Sequence, residues 1–264
     1  MQYEGVLKKM KTELSSPIQY YLVFQNDFIH MNQLLDKEIS LRFLGYQCLN
    51  CNEDKPIFRQ GFCYDCFYKT PLAGDWIMRP ELSTAHLEKE DRDLDYEKKV
   101  QLQPHIVYLA NSSNVKVGVT RKSQIPTRWI DQGAHEAMEI LETPNRYLAG
   151  ITEVALKAHI ADKTNWRKML QNEIEDENLE AIRSKLEPFV PDEAKPYFLE
   201  NNKETELKFP VLQYPKSPKS LNLQKTPDFS GKLKGIKGQY LIFEGNTVFN
   251  VRNNEGFVVG LSIM

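Results

Sequence analysis

The sequence contains no apolar run that approaches the roughly 20 residues of a membrane-spanning helix, so we expect no membrane segment. Its first residues, MQYEGVLKKMKTELSSP, alternate charged with single apolar residues and lack the continuous hydrophobic core of a secretory signal. No internal repeat is evident. These absences predict a cytoplasmic protein, and 264 residues leave room for one core with an appended module or for several small modules.

A strong net charge is also lacking. The formal net charge is −2, which is not typical of a chain that binds nucleic acid over its whole surface. Residues 171–206 hold 4 Lys or Arg against 11 Asp or Glu, whereas residues 105–170 hold 9 against 6 and residues 207–264 hold 8 against 3. An acidic segment thus separates two basic ones, a pattern that allows a phosphate-bearing partner without requiring one.

Cysteine is scarce, and all four cysteines lie within one short stretch, QCLNCNEDKPIFRQGFCYDCF. A reducing cytosol disfavours disulfides, and two facing C-x2-C turns let four thiolates complete the tetrahedral shell of a closed structural zinc site. A redox-active C-x-x-C motif has one cysteine pair beside a βαβ pattern. This sequence has two pairs and no βαβ pattern near them. The simpler interpretation is a zinc clip that staples a small β module; the alternative is a ribbon that itself contacts a ligand. We therefore predict one structural Zn²⁺ bound by Cys48, Cys51, Cys63 and Cys66.

Hydrophobic period and turn residues predict the elements along the chain. Short β-branched and aromatic runs at 19–43 predict antiparallel strands that lead into the zinc loop. Early acids and late lysines predict a surface helix at 83–102, and two apolar runs around Asn-Ser-Ser-Asn predict a β-hairpin at 105–119. Further helices are predicted at 146–170 and at about 171–186.

The predicted domain organisation follows from these elements. A proline-rich stretch without period forms a connector, and the three strands predicted after it are too few to be stable alone, so they complete a sheet with the N-terminal strands. The predicted segments are an N-terminal β module with a zinc ribbon at 48–66 (residues 1–80), an acidic surface helix (81–104), an α/β domain with following helices (105–206), a Pro/Lys-rich connector (207–232) and a C-terminal β-meander (233–264).

Short motifs follow one another between residues 105 and 170: HIVYL, VKVG, PTRWIDQGA, GITEVALKAHI and DKTNWRKML. In this order they resemble the motifs of the GIY-YIG nuclease superfamily, whose domain is a small sheet flanked by helices. The whole chain further resembles an uncharacterised bacterial family that joins a zinc ribbon to a GIY-YIG-like domain. The resemblance matches Tyr108 to the first motif tyrosine, Gly118 to the motif glycine, Arg128 to the helical arginine, Glu153 to the metal-binding glutamate and Asn165 to the asparagine that follows it.

The chain departs from the family pattern at Lys116, which stands where the second motif tyrosine is expected. The residue types nevertheless fit metal-assisted phosphodiester hydrolysis: a carboxylate binds a hard Mg²⁺ or Mn²⁺, an arginine neutralises a phosphate, and a phenol or ammonium lies near the incoming water. The resemblance implies a catalytic set of Tyr108, Lys116, Arg128, Glu153 and Asn165, with Glu153 on the divalent metal. Phosphate contacts are predicted for Lys116, Arg121, Lys122 and Arg128.

Each of these residues also has an ordinary structural interpretation. Tyr108 is then a core residue, Glu153 a solvated helix acid, Asn165 a helix cap, and Arg128 a cation stacked on Trp129.

The sequence thus predicts an α+β protein: a split antiparallel β module that carries a four-cysteine zinc ribbon, with a GIY-YIG-like small sheet flanked by helices inserted between its halves. The leading functional hypothesis is a protein that acts on DNA or RNA through residues 105–170, as a divalent-metal-dependent endonuclease if the site is complete. The alternatives are a non-catalytic zinc-containing DNA- or RNA-binding module and a protein-interaction scaffold. Convergence of the predicted catalytic side chains on one open cleft favours the enzyme.

Overall fold

The computed structural model of the protein describes residues 1–160, 165–200 and 203–263, and the fold is mixed α+β. None of the helices in these ranges is long and apolar enough to cross a membrane. The strands are β1 Gln2–Val6, β2 Lys11–Glu13, β3 Gln19–Val23, β4 Phe28–His30, β5 Glu38–Tyr46, β6 His105–Asn111, β7 Val115–Arg121, β8 Glu136–Thr143, β9 Thr205–Glu206, β10 Lys219–Ser220, β11 Asp228–Lys237, β12 Tyr240–Phe243, β13 Thr247–Asn250 and β14 Phe257–Ile263. The helices are α1 Tyr64–Lys69, α2 Asp75–Met78, α3 Leu94–Gln101, α4 Thr127–Asp131, α5 Arg146–Lys157, α6 Trp166–Gln171 and α7 Leu179–Leu186.

One seven-stranded sheet joins the two ends of the chain, in the order β1-β14-β5-β11-β12-β13-β10. The last strand, β14, lies between β1 and β5 and pairs antiparallel with both, and β11 pairs with β5 on its other side. A meander of a few strands cannot bury a face by itself, so the C-terminal strands complete their pairing with N-terminal ones. The predicted split antiparallel β module is confirmed, with one short parallel pair between β10 and β13.

The main hydrophobic core lies where the seven-stranded sheet, the small sheet β2-β3-β4 and one face of the inserted sheet meet. Buried residues of all three contribute, among them Tyr20, Ile39 and Tyr108. A buried amide also ties the two ends of the chain together, because Gln239 Oε1 accepts a hydrogen bond from the Met10 N–H at 2.7 Å. The two halves of the β module therefore form one packed unit around the inserted sheet.

The inserted sheet has the order β7-β6-β8-β9 and is antiparallel throughout. Every residue of the central strand β6 is buried. Because side chains alternate between the faces of a sheet, Ile106 and Tyr108 enter the main core, whereas Val107 and Leu109 pack with α5 and α7 on the opposite face. The predicted hairpin and the predicted small sheet flanked by helices are confirmed, and the side chain of Tyr108 faces the β module.

The segment predicted as one surface helix at 83–102 is helical only over α3. A 3-10 turn before it ends at Glu88, whose φ is 55°, and Asp93 caps the N-terminus of α3. Glu97 is not a solvated acid, because its side chain is buried and accepts backbone N–H bonds from residues 91–93. The chain before α3 thus turns around a buried carboxylate, which helical periodicity does not reveal.

The helix predicted at 146–170 is also divided. Helix α5 ends at Lys157, and the next helix is the separate α6; residues 161–164 of the predicted helix lie outside the described residues. The helix predicted at 171–186 is α7 alone, because Asn172 adopts a φ of 59° and ends α6. An asparagine in the left-handed region is a common helix end, and it overrides the helical propensity of the residues around it.

The C-terminal segment has four strands and not the predicted three, because β11 already begins at Asp228, inside the stretch predicted as a connector. Only β11, β12 and β13 form a meander, since β14 pairs with β1 and β5 and not with β13. The first half of this ten-residue strand pairs with β5 and the second half pairs with β12. The prolines that indicated a connector all precede Asp228, so they do not interrupt the strand.

Candidate functional site

The four cysteines come from two turns that lie face to face. Cys48 and Cys51 follow β5, whereas Cys63 caps the N-terminus of α1 and Cys66 lies in its first turn. Between the two turns the chain reverses at Gly61, whose φ is 78°. A side chain at that position would collide with the first turn, so a glycine is required there. The four sulfur atoms all lie within 4.8 Å of one another.

This geometry fits a tetrahedral ion, because zinc–sulfur bonds of about 2.3 Å place the sulfurs about 3.8 Å apart. The Cys63 N–H donates to Cys48 Sγ at 3.3 Å. Burial raises the pKa of the Cys48 thiol, but backbone N–H bonds from Cys51, Cys63 and Asn50 outweigh burial and lower this pKa to about 6. The hydrogen bond from the Asn50 amide lowers the pKa of Cys66, but burial and the neighbouring thiols outweigh it and raise this pKa to about 12. The local backbone thus favours the thiolate at Cys48, and the crowded thiols disfavour it at Cys66. The predicted ligands form a four-cysteine cluster able to hold a metal ion.

A second candidate site is a cavity of about 270 Å³ between the β module and the inserted sheet. Helices α2, α3 and α4 and the end of β7 contribute to its walls. We term it the basic cavity, because five cationic side chains line it, those of Lys9, Arg121, Arg128, Arg146 and Arg252.

One acid, Asp131, also lines the basic cavity, and it pairs with the two cations that the β module contributes, Lys9 and Arg252. The Asp131 carboxylate lies 2.7 Å from Lys9 Nζ and 3.7 Å from an Arg252 nitrogen, and it accepts a hydrogen bond from Gln239 Nε2 at 2.8 Å. The Asp131 side chain is only 2% exposed, so water screens these pairs weakly. Its charge is therefore already shared between two cations of the β module.

The other three cations, Arg121, Arg128 and Arg146, form no ion pair within 4.0 Å among the described residues. Arg146 is fixed by the carbonyls of Trp76 and Ile77, at 3.0 and 2.8 Å, and its guanidinium lies 5.5 Å from the Trp76 ring. Burial lowers the pKa of Arg146 to about 10; the charge of Glu153 opposes this shift, and the charges of Arg128 and Arg121 add to it. Like charges thus share one cavity, an arrangement that a bound anion stabilises.

Tyr108 lies beside this cavity without lining it. Its side chain is fully buried, and its hydroxyl accepts a hydrogen bond from Gln132 Nε2 at 2.8 Å. Burial raises the pKa of Tyr108, whereas the charge of Arg128 and its hydrogen bond to the hydroxyl oppose this shift. Arg128 therefore connects the cavity, which it lines, to the buried phenol of the first motif.

Glu153 interacts electrostatically with Tyr108, Arg128 and Arg146. Its side chain is largely buried on α5, and Oε1 lies 3.3 Å from Lys157 Nζ, one helical turn later. Burial raises the pKa of Glu153, and the positive charges of Lys157, Arg146 and Arg128 oppose the shift. The charge of Glu153 in turn acts on Tyr108 and Arg128. Tyr108 and Arg128 are thus hydrogen-bonded to each other and the charge of Glu153 acts on both, but Glu153 does not line the basic cavity.

The remaining predicted residues have separate surroundings. Lys116 is half-buried on β7, two positions before Gly118, and does not line the basic cavity. Lys122 bonds both carboxylate oxygens of Glu142, at 2.9 and 2.7 Å, and also lies outside the cavity lining. Asn165 caps α6 through its Oδ1. Of the residues predicted to contact phosphate, Arg121 and Arg128 are the two that share one cavity.

Sequence reasoning missed Lys9, Arg146 and Arg252. Arg146 has a local signal: it is the first residue of α5, where the helix dipole disfavours a positive charge, so its position indicates a role outside the helix. Lys9 and Arg252 have no such signal. They lie near opposite ends of the chain, and the pairing of β1 with β14 brings their segments together.

A family model with the description "protein of unknown function (DUF2797)" matches residues 36–259, a range that includes both the four-cysteine cluster and the inserted sheet. No curated protein and no solved structure matches the chain.

Proposed function

The chain belongs to the DUF2797 family of proteins of unknown function, and we propose that it binds nucleic acid and takes a backbone phosphate into the basic cavity. The proposal rests on one observation, the three arginines that line this cavity. Arg121, Arg128 and Arg146 line one cavity and have no ion pair within 4.0 Å in the described part of the chain. A phosphate supplies the negative charge that this arrangement lacks.

The chemistry of arginine favours phosphate over a simple anion. A guanidinium presents a planar fork of N–H donors that matches two oxygens of a phosphate. Two carbonyl groups of α2 already hold Arg146 in place, so less side-chain freedom is lost when an anion binds. Because the net charge of the chain is only −2, binding depends on this local arrangement and not on a general positive surface.

We further propose that the four-cysteine cluster binds one zinc ion with a structural role. Four thiolates fill the tetrahedral shell, so no position is open to water or substrate. The ion would join the turn after β5 to the first turn of α1. The chain then passes from α1 to α2, whose residues fix Arg146. In this proposal zinc stabilises one wall of the basic cavity and takes no part in a reaction.

A second candidate function, cleavage of the bound backbone, is supported by the hydrogen bond between Arg128 and Tyr108 and by the charge of Glu153, which acts on both. These residues match the GIY-YIG resemblance. A divalent Mg²⁺ or Mn²⁺ supplies an activated water and neutralises phosphate charge in such hydrolysis. Glu153 is the residue that would hold the ion, whose other ligands would be water and phosphate oxygens. Arg128 would orient the phosphate through its guanidinium.

The binding proposal is tested by salt dependence. Fluorescence anisotropy with labelled single-stranded and duplex DNA and RNA gives the affinity over a series of salt concentrations. We expect affinity to fall with salt, and Arg128→Ala to reduce the slope of log affinity against log salt by about one phosphate contact. Lys122→Ala is the matched control, because Lys122 is already paired with Glu142 outside the cavity.

Two results contradict the proposal. One is wild-type protein that binds none of the four probes at low salt. The other is an equal change of slope in the Arg128→Ala and Lys122→Ala variants, which would indicate a diffuse surface effect. The first result favours the protein-interaction scaffold, and the second leaves nucleic-acid binding without a role for the basic cavity.

A further inference from the structure

The outer face of the zinc ribbon carries a cluster of aromatic side chains. Phe58 lies at its centre, with its ring centroid 5.2 Å from that of Tyr64, 5.3 Å from that of Phe67 and 6.0 Å from that of Tyr68. Tyr64 and Tyr68 are one turn apart on α1, and their centroids are 4.9 Å apart. We term these four residues the aromatic patch.

Three members of the aromatic patch are unusually exposed. Tyr64 is 61% exposed, Tyr68 is 54% exposed and Phe58 is 41% exposed. The small core of the ribbon is formed by other residues, including Phe62 and the cysteines, and only Phe67 of the patch packs against it. The patch is therefore not needed to fill the ribbon core, and a cluster of exposed rings of this kind indicates a binding surface.

The chemistry of the aromatic patch suits a planar, electron-rich ligand. Arg59 lies over it, with its guanidinium carbon 5.2 Å from the Phe58 centroid and 6.0 Å from the Phe67 centroid. No carboxylate lies within 4.0 Å of Arg59 or Lys69 in the ranges that the structure describes, whereas Asp65 is the one acid in α1. Exposed rings combined with arginine form the kind of surface on which bases of single-stranded nucleic acid stack.

The aromatic patch is also close to the basic cavity along the chain. Leu72 follows Tyr68 by four residues, so the two are at most about 14 Å apart. Leu72 is exposed and lines the basic cavity, and so does Met78 of α2. The aromatic patch and the lining of the basic cavity are thus separated by a distance that a short single strand can span.

We propose that the aromatic patch stacks unpaired bases of a nucleic acid strand whose phosphate occupies the basic cavity. This inference rests on the proposed function and adds its substrate class: single-stranded segments, and not intact duplex. In a duplex the base faces are already stacked on their neighbours, so the rings gain little contact. The patch would therefore supply the preference for unpaired bases, and the cavity would supply the salt-dependent affinity.

The test compares three labelled probes: a single DNA strand of about ten nucleotides, the duplex of the same sequence, and a strand of equal length in which abasic residues replace the bases. The abasic strand keeps every phosphate. We expect the single strand to bind most tightly, with Tyr64→Ala and Tyr68→Ala each reducing its affinity about tenfold and leaving the salt slope unchanged.

Matched variants show whether the effect belongs to the rings of the patch. Tyr64→Phe and Tyr68→Phe keep the rings and should bind as wild type does. Phe28→Ala removes a ring that is 65% exposed on β4, outside the aromatic patch, and should also bind normally. Zinc content and melting temperature identify variants that have lost the fold.

The outcomes separate this inference from the proposed function. Equal binding of the abasic and normal strands, with normal binding by the Tyr64→Ala and Tyr68→Ala variants, overturns the inference, leaves the phosphate proposal standing and reassigns the aromatic patch to a protein partner. Salt-independent binding that still requires the tyrosines contradicts the phosphate proposal and retains base stacking. Absence of binding to all three probes overturns both.

Discussion

Gly118 and Tyr108 lie opposite each other on adjacent strands of the inserted sheet, and the tyrosine ring occupies the space that a side chain at residue 118 would fill. A Cβ at this position would be 2.6 Å from both Cζ and Oη of Tyr108. The glycine and the tyrosine of the two motifs are thus one packing unit. The glycine allows the buried phenol to reach Gln132 and Arg128.

We expect Gly118→Ala to destabilise the protein by about 1–3 kcal/mol, because the ring is fully buried and cannot move aside without disturbing the core. Urea denaturation measures this change in the free energy of unfolding. The matched control is Gly260→Ala on β14, where the nearest atom is 3.7 Å from the added Cβ, an ordinary van der Waals distance. Equal stability of the two variants would show that Tyr108 is not held in this position.

Much of the fold was predictable from local patterns. The paired C-x2-C turns predicted the cysteine cluster, and two apolar runs around Asn-Ser-Ser-Asn predicted the β6–β7 hairpin. The predicted helix boundaries were wrong where side-chain contacts or a left-handed residue set the backbone conformation. The buried carboxylate of Glu97 organises the chain before α3, and the left-handed Asn172 ends α6. Neither effect appears in the hydrophobic period.

The basic cavity was less predictable than the fold. Arg121 and Arg128 lie within the motif region, but Lys9 and Arg252 reach the cavity from opposite ends of the chain. Their proximity depends on long-range strand pairing, which a single sequence does not specify. Lys122 has the same charge as Arg121 and is its neighbour in sequence, yet Glu142 holds it outside the cavity. Charge composition alone therefore could not distinguish the two.

Zinc removal is expected to unfold the ribbon without unfolding the main core, because the cysteines and Phe62 form a hydrophobic cluster separate from the main one. Purified protein should contain about one zinc per chain. After chelation, limited proteolysis should cut between Cys48 and Cys66, while the β module remains protected. An apoprotein with four freely titrating thiols and unchanged protease resistance would contradict a structural role for the metal.

Stability should fall as pH is lowered from 7 to 5, in part through His105. Burial lowers the pKa of His105 to about 4, from an ordinary value of 6.5, and the charges of Arg146 and Arg121 add to this effect. The unfolded state then binds more protons, so this contribution is present above pH 6.5 and is lost as pH falls toward 4. The contribution of His105 to this change is a loss of about 2 kcal/mol between pH 7 and pH 5.

Urea denaturation at the two pH values measures this loss, and His105→Gln provides the comparison. The variant has no titrating group at this position, so its free energy of unfolding should change less between pH 7 and pH 5, whatever its absolute stability. An identical pH dependence in the two proteins would mean that His105 titrates at its ordinary pKa.

Glu153→Gln separates an enzyme from a binding protein. The substitution keeps the shape and hydrogen-bonding capacity of a largely buried side chain and removes only its charge, so folding and nucleic-acid binding should stay close to wild type. If Glu153 holds a Mg²⁺ or Mn²⁺ ion, metal-dependent cleavage should be abolished. Glu142→Gln is the control, because Glu142 is likewise paired with a lysine but lies on β8, outside the predicted catalytic set. Cleavage is measured on single-stranded, duplex and branched DNA and on structured RNA. Wild-type protein that binds these substrates and cleaves none of them would leave Glu153 as the buried partner of Lys157, and the arginines of the basic cavity would then act in binding alone.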